Sequence, residues 1–184
     1  MAEATAYRVK FQFRGKSGVQ HELELNDRRI ARIVKQCRDL PGYELFQYFD
    51  ENSDRQTISS EDVNAYLQEI TGEEFTAKDF RTWAGTVAVA KSLTELGAFT
   101  SQTQAKNNIT QAIKQAAKQL GNRPATCRKY YVHPAIIDAY LDGLLLSTME
   151  QQEELDTEDS PHSLSPQERG VLAVLEQQLL QHKQ

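Results

Sequence analysis

The stretch Tyr7-Arg-Val-Lys-Phe-Gln-Phe-Arg-Gly-Lys-Ser-Gly-Val-Gln-His-Glu-Leu-Glu-Leu25 sets the fold class. Tyr7, Val9, Phe11 and Phe13 fall on one face and Arg8, Lys10 and Gln12 on the other, the period of two that marks a half-buried strand. Arg14-Gly15-Lys16-Ser17-Gly18 follows as a turn whose glycines tolerate positive φ. Val19, His21, Leu23 and Leu25 then resume the alternation. These residues predict a β-hairpin with Lys16 at its tip.

Beyond Leu25 the period changes to that of helices. Asn26 or Asp27 can cap a helix whose Ile30, Ile33, Val34 and Cys37 share a face, and Pro41-Gly42 stops it. Leu45 to Phe49 is a short apolar run expected to form one helical turn, and Glu51 to Ser59 reads as a loop. Ser59 with Asp62 and Thr76 with Asp79 resemble capping boxes. The first precedes Val63, Tyr66, Leu67 and Ile70, and the second opens a long helix ending at Gly97. A helix is expected from Thr103 to Leu120, a short one from Pro124, and another from Pro134 through Leu144. The prediction is an α+β chain, mainly helical, with an N-terminal β-hairpin. Its expected divisions are a domain over 1–146, an acidic linker over 147–164 and a last amphipathic helix over 165–184.

Composition narrows the functional classes. The 184 residues are 39% hydrophobic and 26% charged, no stretch approaches the roughly 18 apolar residues of a membrane span, and the opening residues lack a signal-peptide pattern. Cys37 and Cys127 are too few for a disulfide scaffold and fit a reducing, cytoplasmic compartment. The net charge of −5 averages unlike parts: residues 147–184 carry −6, whereas residues 1–40 carry +4. That asymmetry permits a nucleic-acid partner, although solvated faces alone would account for it. No phosphate loop and no G-x-G-x-x-G is present, and His21, His133, His162 and His182 lie too far apart for a zinc spacing. Chemistry by organic side chains, with no cofactor, is the expectation.

Three segments then stand together: Arg14 to Gly18, Lys78-Asp79-Phe80-Arg81-Thr82-Trp83-Ala84-Gly85-Thr86, and Gly121-Asn122-Arg123-Pro124-Ala125-Thr126-Cys127-Arg128-Lys129-Tyr130-Tyr131-Val132-His133-Pro134. With Leu40 to Tyr48 and Asp62 to Leu67, their order and wording resemble the catalytic domain of type IB DNA topoisomerases of the bacterial and poxvirus kind, over residues 8–145. The resemblance implies attack by a tyrosine on a phosphodiester, a 3′-phosphotyrosyl link, and resealing without ATP or metal. By that match Tyr131 is the nucleophile. Taken without it, Tyr130 and Tyr131 would be one core ring and one exposed ring. The match also makes Arg81 the partner of the non-bridging oxygens, Lys16 the general acid for the leaving 5′ oxygen, and Asn122 a hydrogen-bond donor to the phosphate. Lys78 lies near the phosphate, and Arg14, Arg128 and Lys129 contact the DNA.

The family also uses an arginine upstream of the hairpin, in a segment resembling Ile-Arg-Val-Gly-Asn, and an N-terminal clamp domain. Residues 1–13 hold no match, so the sequence is expected to be a fragment, a truncated gene or an isolated C-terminal piece. One missing charge-assisted donor would cost about 2.7–4 kcal/mol of transition-state stabilisation and leave this piece a poor enzyme by itself. The expected partner is double-stranded DNA, bound by a monomer associated with the nucleoid. A tyrosine recombinase or integrase is the nearest alternative, disfavoured by Lys78 where recombinases carry histidine. A helical DNA-binding module without activity is the other.

Overall fold

The computed structural model describes residues 2–15, 18, 20–155 and 163–181. They form two compact units, residues 1–75 and 76–184. The first is built on a three-stranded antiparallel sheet, β1 (Ala2–Ala4), β2 (Arg8–Arg14) and β3 (Gln20–Asn26), in the order β1-β2-β3. The expected hairpin is present, with Val9 opposite Leu25 and Phe13 opposite His21. Lys16 lies outside the described residues. β1 was not expected; its alanines pair with β2, Ala2 opposite Phe11 and Ala4 opposite Val9.

Helix α1 (Arg28–Arg38) starts where Asp27 accepts the Ile30 N–H at 2.9 Å. It turns Ala31 and Val34 onto Val9, all three buried, with Ala2, Ala4, Phe11 and Leu45 around them. This corrects the apolar face expected for α1. Ile30 and Ile33 are 40% and 48% exposed, because Ala31, which has only a methyl to accommodate, is the residue that lets the helix approach the sheet. The strand expectation is corrected in the same way, since of Tyr7, Val9, Phe11 and Phe13 only Val9 is fully buried and Tyr7 and Phe13 are exposed.

A second correction concerns Leu45 to Ser59. The expected turn of helix and loop are strands β4 (Gln47–Phe49) and β5 (Arg55–Thr57), paired with Tyr48 opposite Gln56. The turn between them explains this. Asp50 Oδ1 accepts the N–H groups of Asn52 at 3.0 Å and Asp54 at 2.9 Å, and Ser53 adopts a φ of 64°. A side-chain-closed turn of this kind favours a hairpin over a helix. Helix α2 (Ser60–Thr71) begins with the expected Ser59/Asp62 capping box.

The second unit is all helix: α3 (Ala77–Leu96), α4 (Gln102–Gln119), α5 (Pro124–Tyr130), α6 (Pro134–Leu141), α7 (Leu144–Glu154) and α8 (Pro166–Gln181). One core joins Val89 and Leu93 of α3, Ile109, Ala112, Ile113 and Ala116 of α4, and Ile136 and Tyr140 of α6. Leu145 and Met149 of α7 and Val171 and Val174 of α8 complete it. Tyr140 is 1% exposed, and its hydroxyl donates to the Gly97 carbonyl at 2.8 Å and accepts from Asn108 Nδ2 at 2.7 Å. Its polar tip is thus satisfied inside the core.

Two boundaries differ from expectation. The helix from Pro134 ends at Leu141, where Asp142 caps it and Gly143 turns with a φ of 76°. The next helix then continues to Glu154, into the acidic stretch expected as a linker; residues 156–162 of that stretch lie outside the described residues. The last helix, expected to stand apart, contributes two core residues, and Trp83 Nε1 donates to Glu168 Oε1 at 3.1 Å. Among the described residues no helix is long and apolar enough to cross a membrane.

Candidate active site

Six of the expected site positions, Lys78, Arg81, Asn122, Arg128, Lys129 and Tyr131, fall in the second unit near the start of α3, the end of α4 and the end of α5. The start of α3 is fixed by Asp79, whose carboxylate accepts from the Thr76 N–H at 2.9 Å and the Thr76 hydroxyl at 2.6 Å. Those bonds, the hydroxyl's first, hold Asp79 below the usual carboxylate range, so it stays ionised at the positive end of the helix. This anchoring sets Lys78 in the first turn, exposed, and Arg81 in the second, half-buried.

Arg81 reaches two other elements. Its Nη2 donates to the Leu120 carbonyl at 2.8 Å, and its guanidinium carbon lies 5.1 Å from the centre of the Tyr131 ring. Leu120 caps α4, and the chain leaves it through Gly121 with a φ of 66°. The Gly121 N–H then bonds to the Lys118 carbonyl and the Asn122 N–H to the Ala117 carbonyl at 2.8 Å, the two bonds of a glycine-closed helix end. Asn122 follows immediately. Its Nδ2 is buried and finds no hydrogen-bond acceptor among the described residues. A buried donor without a partner costs about 1–3 kcal/mol, an outlay that native sites make where a ligand supplies the acceptor.

Tyr131 caps α5, its N–H bonded to the Cys127 carbonyl at 2.9 Å, and its half-buried ring packs on the core. Tyr130 points away; it is 49% exposed with Lys129 Nζ 5.0 Å from its ring centre. The choice between adjacent tyrosines is therefore also a difference of environment, since only Tyr131 shares a face with Arg81. Cys127 beside them is fully buried. Desolvation pushes its thiol up, against the opposing pull of the Arg81 charge, so it is held as an unreactive thiol.

Residues absent from the expected site hold this arrangement. Gly85 faces the Tyr131 backbone, and a Cβ there would overlap the Tyr131 carbonyl oxygen and lie 3.0 Å from Leu120 Cδ1. Thr86 Oγ1 accepts the His133 N–H at 3.0 Å, and the Thr82 hydroxyl approaches the Tyr130 carbonyl at 3.4 Å. α3 is thus fastened to both ends of the Tyr130–His133 segment. Gly85, a lone glycine within a helical pattern, was the one signal legible in sequence.

The remaining expected residues are more dispersed. Arg128 and Lys129 are exposed on α5 and line a cavity of about 250 Å³ with Val132, Pro134, Ile137 and Asp138. Arg14 belongs to the first unit, where its Nε donates to the Gly18 carbonyl at 3.3 Å. Among the described residues no group of three or more His, Cys, Asp or Glu side chains could hold a metal ion.

A tyrosine under a guanidinium, with an unpaired amide donor two residues past the carbonyl that holds that guanidinium, is an arrangement suited to an anionic group at a nucleophile. Residues 2–158 match the family model described as eukaryotic DNA topoisomerase I, catalytic core. The chain is also 31% identical over 139 residues to the DNA topoisomerase 1B of Acanthamoeba polyphaga mimivirus, an alignment covering 72% of this chain and 41% of that protein. The chain thus spans about two fifths of the length of the relative it matches. With most of its length inside that model, the chain belongs to the type IB DNA topoisomerase family.

Proposed function

We propose that this chain carries the strand-transfer chemistry of a type IB topoisomerase, acting on double-stranded DNA to relax supercoils without ATP. Tyr131 Oη attacks a backbone phosphorus, the bond from phosphorus to the 5′ oxygen breaks, and a 3′-phosphotyrosyl link forms. The phenol proton is lost to solvent, and Lys16 supplies a proton to the departing 5′ oxygen. Resealing is the reverse transfer. Arg81 binds the non-bridging oxygens through its planar fork, and Asn122 donates to one of them. Lys78, Arg14, Arg128 and Lys129 contact phosphates, which position the duplex without reading its sequence. The protein acts as a monomer on nucleoid DNA.

The observation that carries this reading is the Arg81 guanidinium 5.1 Å above the Tyr131 ring. The cation that must neutralise the phosphate already shares a face with the phenol that must attack it. An unpaired Nδ2 on Asn122, two residues after the Leu120 whose carbonyl holds Arg81, adds a donor of the required kind.

Covalent trapping tests it. The chain is incubated in EDTA, without ATP, with a nicked suicide duplex, with and without the N-terminal part of a relative, and run on a denaturing gel. A shifted band that persists in Tyr130→Phe and vanishes in Tyr131→Phe is expected. A band that survives Tyr131→Phe, or none under either condition, refutes the assignment; the second result leaves a DNA-binding module.

A further inference from the structure

The first unit carries a strongly basic surface that the proposed chemistry does not use. α1 reads Arg-Arg-Ile-Ala-Arg-Ile-Val-Lys-Gln-Cys-Arg, five cations with no acid. Arg28, Arg32 and Lys35 recur at i, i+4 and i+7, so they form one row down the helix, with Arg29 at its flank. All four are exposed and line a cleft of about 610 Å³ between α1 and the residues that join β1 to β2. Its other walls are small, Ala4, Thr5, Ala6 and Ala31.

Nothing among the described residues neutralises these four cations. The ion pairs there join Arg8 to Glu24, Lys10 to Glu22 and Arg38 to Asp39. Arg28 instead lies with its guanidinium carbon 5.7 Å from the centre of the Tyr7 ring. Arg28 and Arg29 also open the helix, where a cation opposes the helix dipole. Like α4, α5, α6 and α7, α1 has no acid in its first turn, and Asp27 at the cap is the one carboxylate set against the two arginines there. A local rule broken without an internal gain is the usual mark of a functional surface.

We infer that this cleft is a binding site for the phosphodiester backbone of duplex DNA, separate from the residues proposed for cleavage. The shape favours a backbone over a compact anion. Seven residues of helix separate Arg28 from Lys35, about 10 Å at 1.5 Å per residue. That length covers about three steps of 3.4 Å along the duplex axis, so the row can meet more than one phosphate of a strand. The cations lie in a row rather than converging on a point, and walls of alanine and threonine offer no slot for a base. The site holds DNA irrespective of sequence, and membership of a family named for DNA favours nucleic acid over an anionic lipid surface.

The test is a salt titration of duplex binding by the full chain in the Tyr131→Phe background, where no adduct forms and cleavage plays no part in the readout. Arg28→Gln/Arg32→Gln/Lys35→Gln keeps helix-compatible side chains, and circular dichroism checks that the fold is retained. Each lost phosphate contact lowers the slope of log K against log salt by about 0.9, so the triple variant should lose roughly 2–3 units of slope and bind about tenfold or more weakly at low salt. Lys106→Gln/Lys114→Gln, which removes two charges from exposed positions of α4 away from the end that adjoins Asn122, should leave the slope unchanged. Arg28→Lys/Arg32→Lys should keep it as well. An unchanged slope in the α1 variant, or an equal loss in the α4 control, overturns the proposal. So does competition by inorganic phosphate beyond its ionic strength, which would mean a compact anion site. Loss of binding to phosphatidylserine vesicles with duplex binding intact would overturn it in favour of a lipid surface.

Discussion

Replacing Gly85 by alanine sets two effects of known size against each other. Alanine in a helix interior is favoured over glycine by about 1 kcal/mol. Against this, the added methyl would overlap the Tyr131 carbonyl oxygen and touch Leu120 Cδ1 at 3.0 Å. The oxygen is backbone, held by a segment that Thr86 and Thr82 fasten to α3, so it cannot swing aside as a side-chain tip would. Restoring ordinary contact requires α3 and the Tyr131 segment to separate by about 1 Å, and overpacking of this kind costs about 1–3 kcal/mol. The net loss of stability is therefore small, about 0–2 kcal/mol. The effect on reaction should be much larger, because a displacement of about 1 Å at a reacting group costs on the order of 10²-fold in rate. Thermal melting and the single-turnover rate of adduct formation, read on the same Gly85→Ala sample, separate the two. A melting temperature at or slightly below the parent's, with cleavage about a hundredfold slower, is expected. A variant that melts several degrees higher and cleaves within about threefold of the parent would refute the close approach of α3 to Tyr131. The melting result stands whether or not the parent forms an adduct.

Asn122→Ala should slow adduct formation by about 10²-fold, the usual cost of one transition-state donor, with little loss of stability because the amide has no partner to leave behind. A single-turnover rate within about threefold of the parent would count against Asn122 as a phosphate donor. Tyr140→Phe removes the hydroxyl shared by Gly97 and Asn108 and should cost about 1–2 kcal/mol in urea unfolding, because the Asn108 amide stays buried while the Gly97 carbonyl is only half-buried; a loss under about 0.5 kcal/mol would contradict the burial of Asn108. Glu168 is held below the usual carboxylate range by the Ser165 N–H, the Ser165 hydroxyl and Trp83 Nε1, in that order. Its folded value being lowered, it stabilises the fold above the unfolded value and loses that contribution as pH falls through the folded one. The stability gap between the parent and Glu168→Gln should therefore be open at pH 7 and close below the ordinary glutamate range near 4.5, followed by melting temperature. A gap independent of pH would show that the charge on Glu168 is irrelevant.

What was legible in the sequence was local. The hairpin's alternation, the Asp27 cap, the Ser59/Asp62 and Thr76/Asp79 boxes and the prolines at 124 and 134 each act within four residues, so their signals lie side by side in the chain. The family wording around Lys78 to Thr86 and Gly121 to Pro134 marks Arg81, Asn122 and Tyr131 as expected site residues, and of these the structure brings Arg81 and Tyr131 together. The β4–β5 hairpin escaped because Asp50 closes its turn with bonds that a loop-like composition does not display. The face of α1 was misassigned because periodicity shows which residues are apolar but not which face a sheet selects.

Position in space was decided by tertiary structure. Arg81 and Tyr131 are fifty residues apart, and nothing in either segment dictates a guanidinium 5.1 Å above that ring. That distance depends on a helix end at Gly121 that turns the Leu120 carbonyl toward Arg81, and on the missing side chain of Gly85, which lets α3 close on α5. The separation of Tyr130 from Tyr131, one exposed and one facing Arg81, has the same origin. Short-range hydrogen bonds and caps are written in neighbouring residues, whereas the approach of two helices depends on the volumes of side chains far apart in sequence.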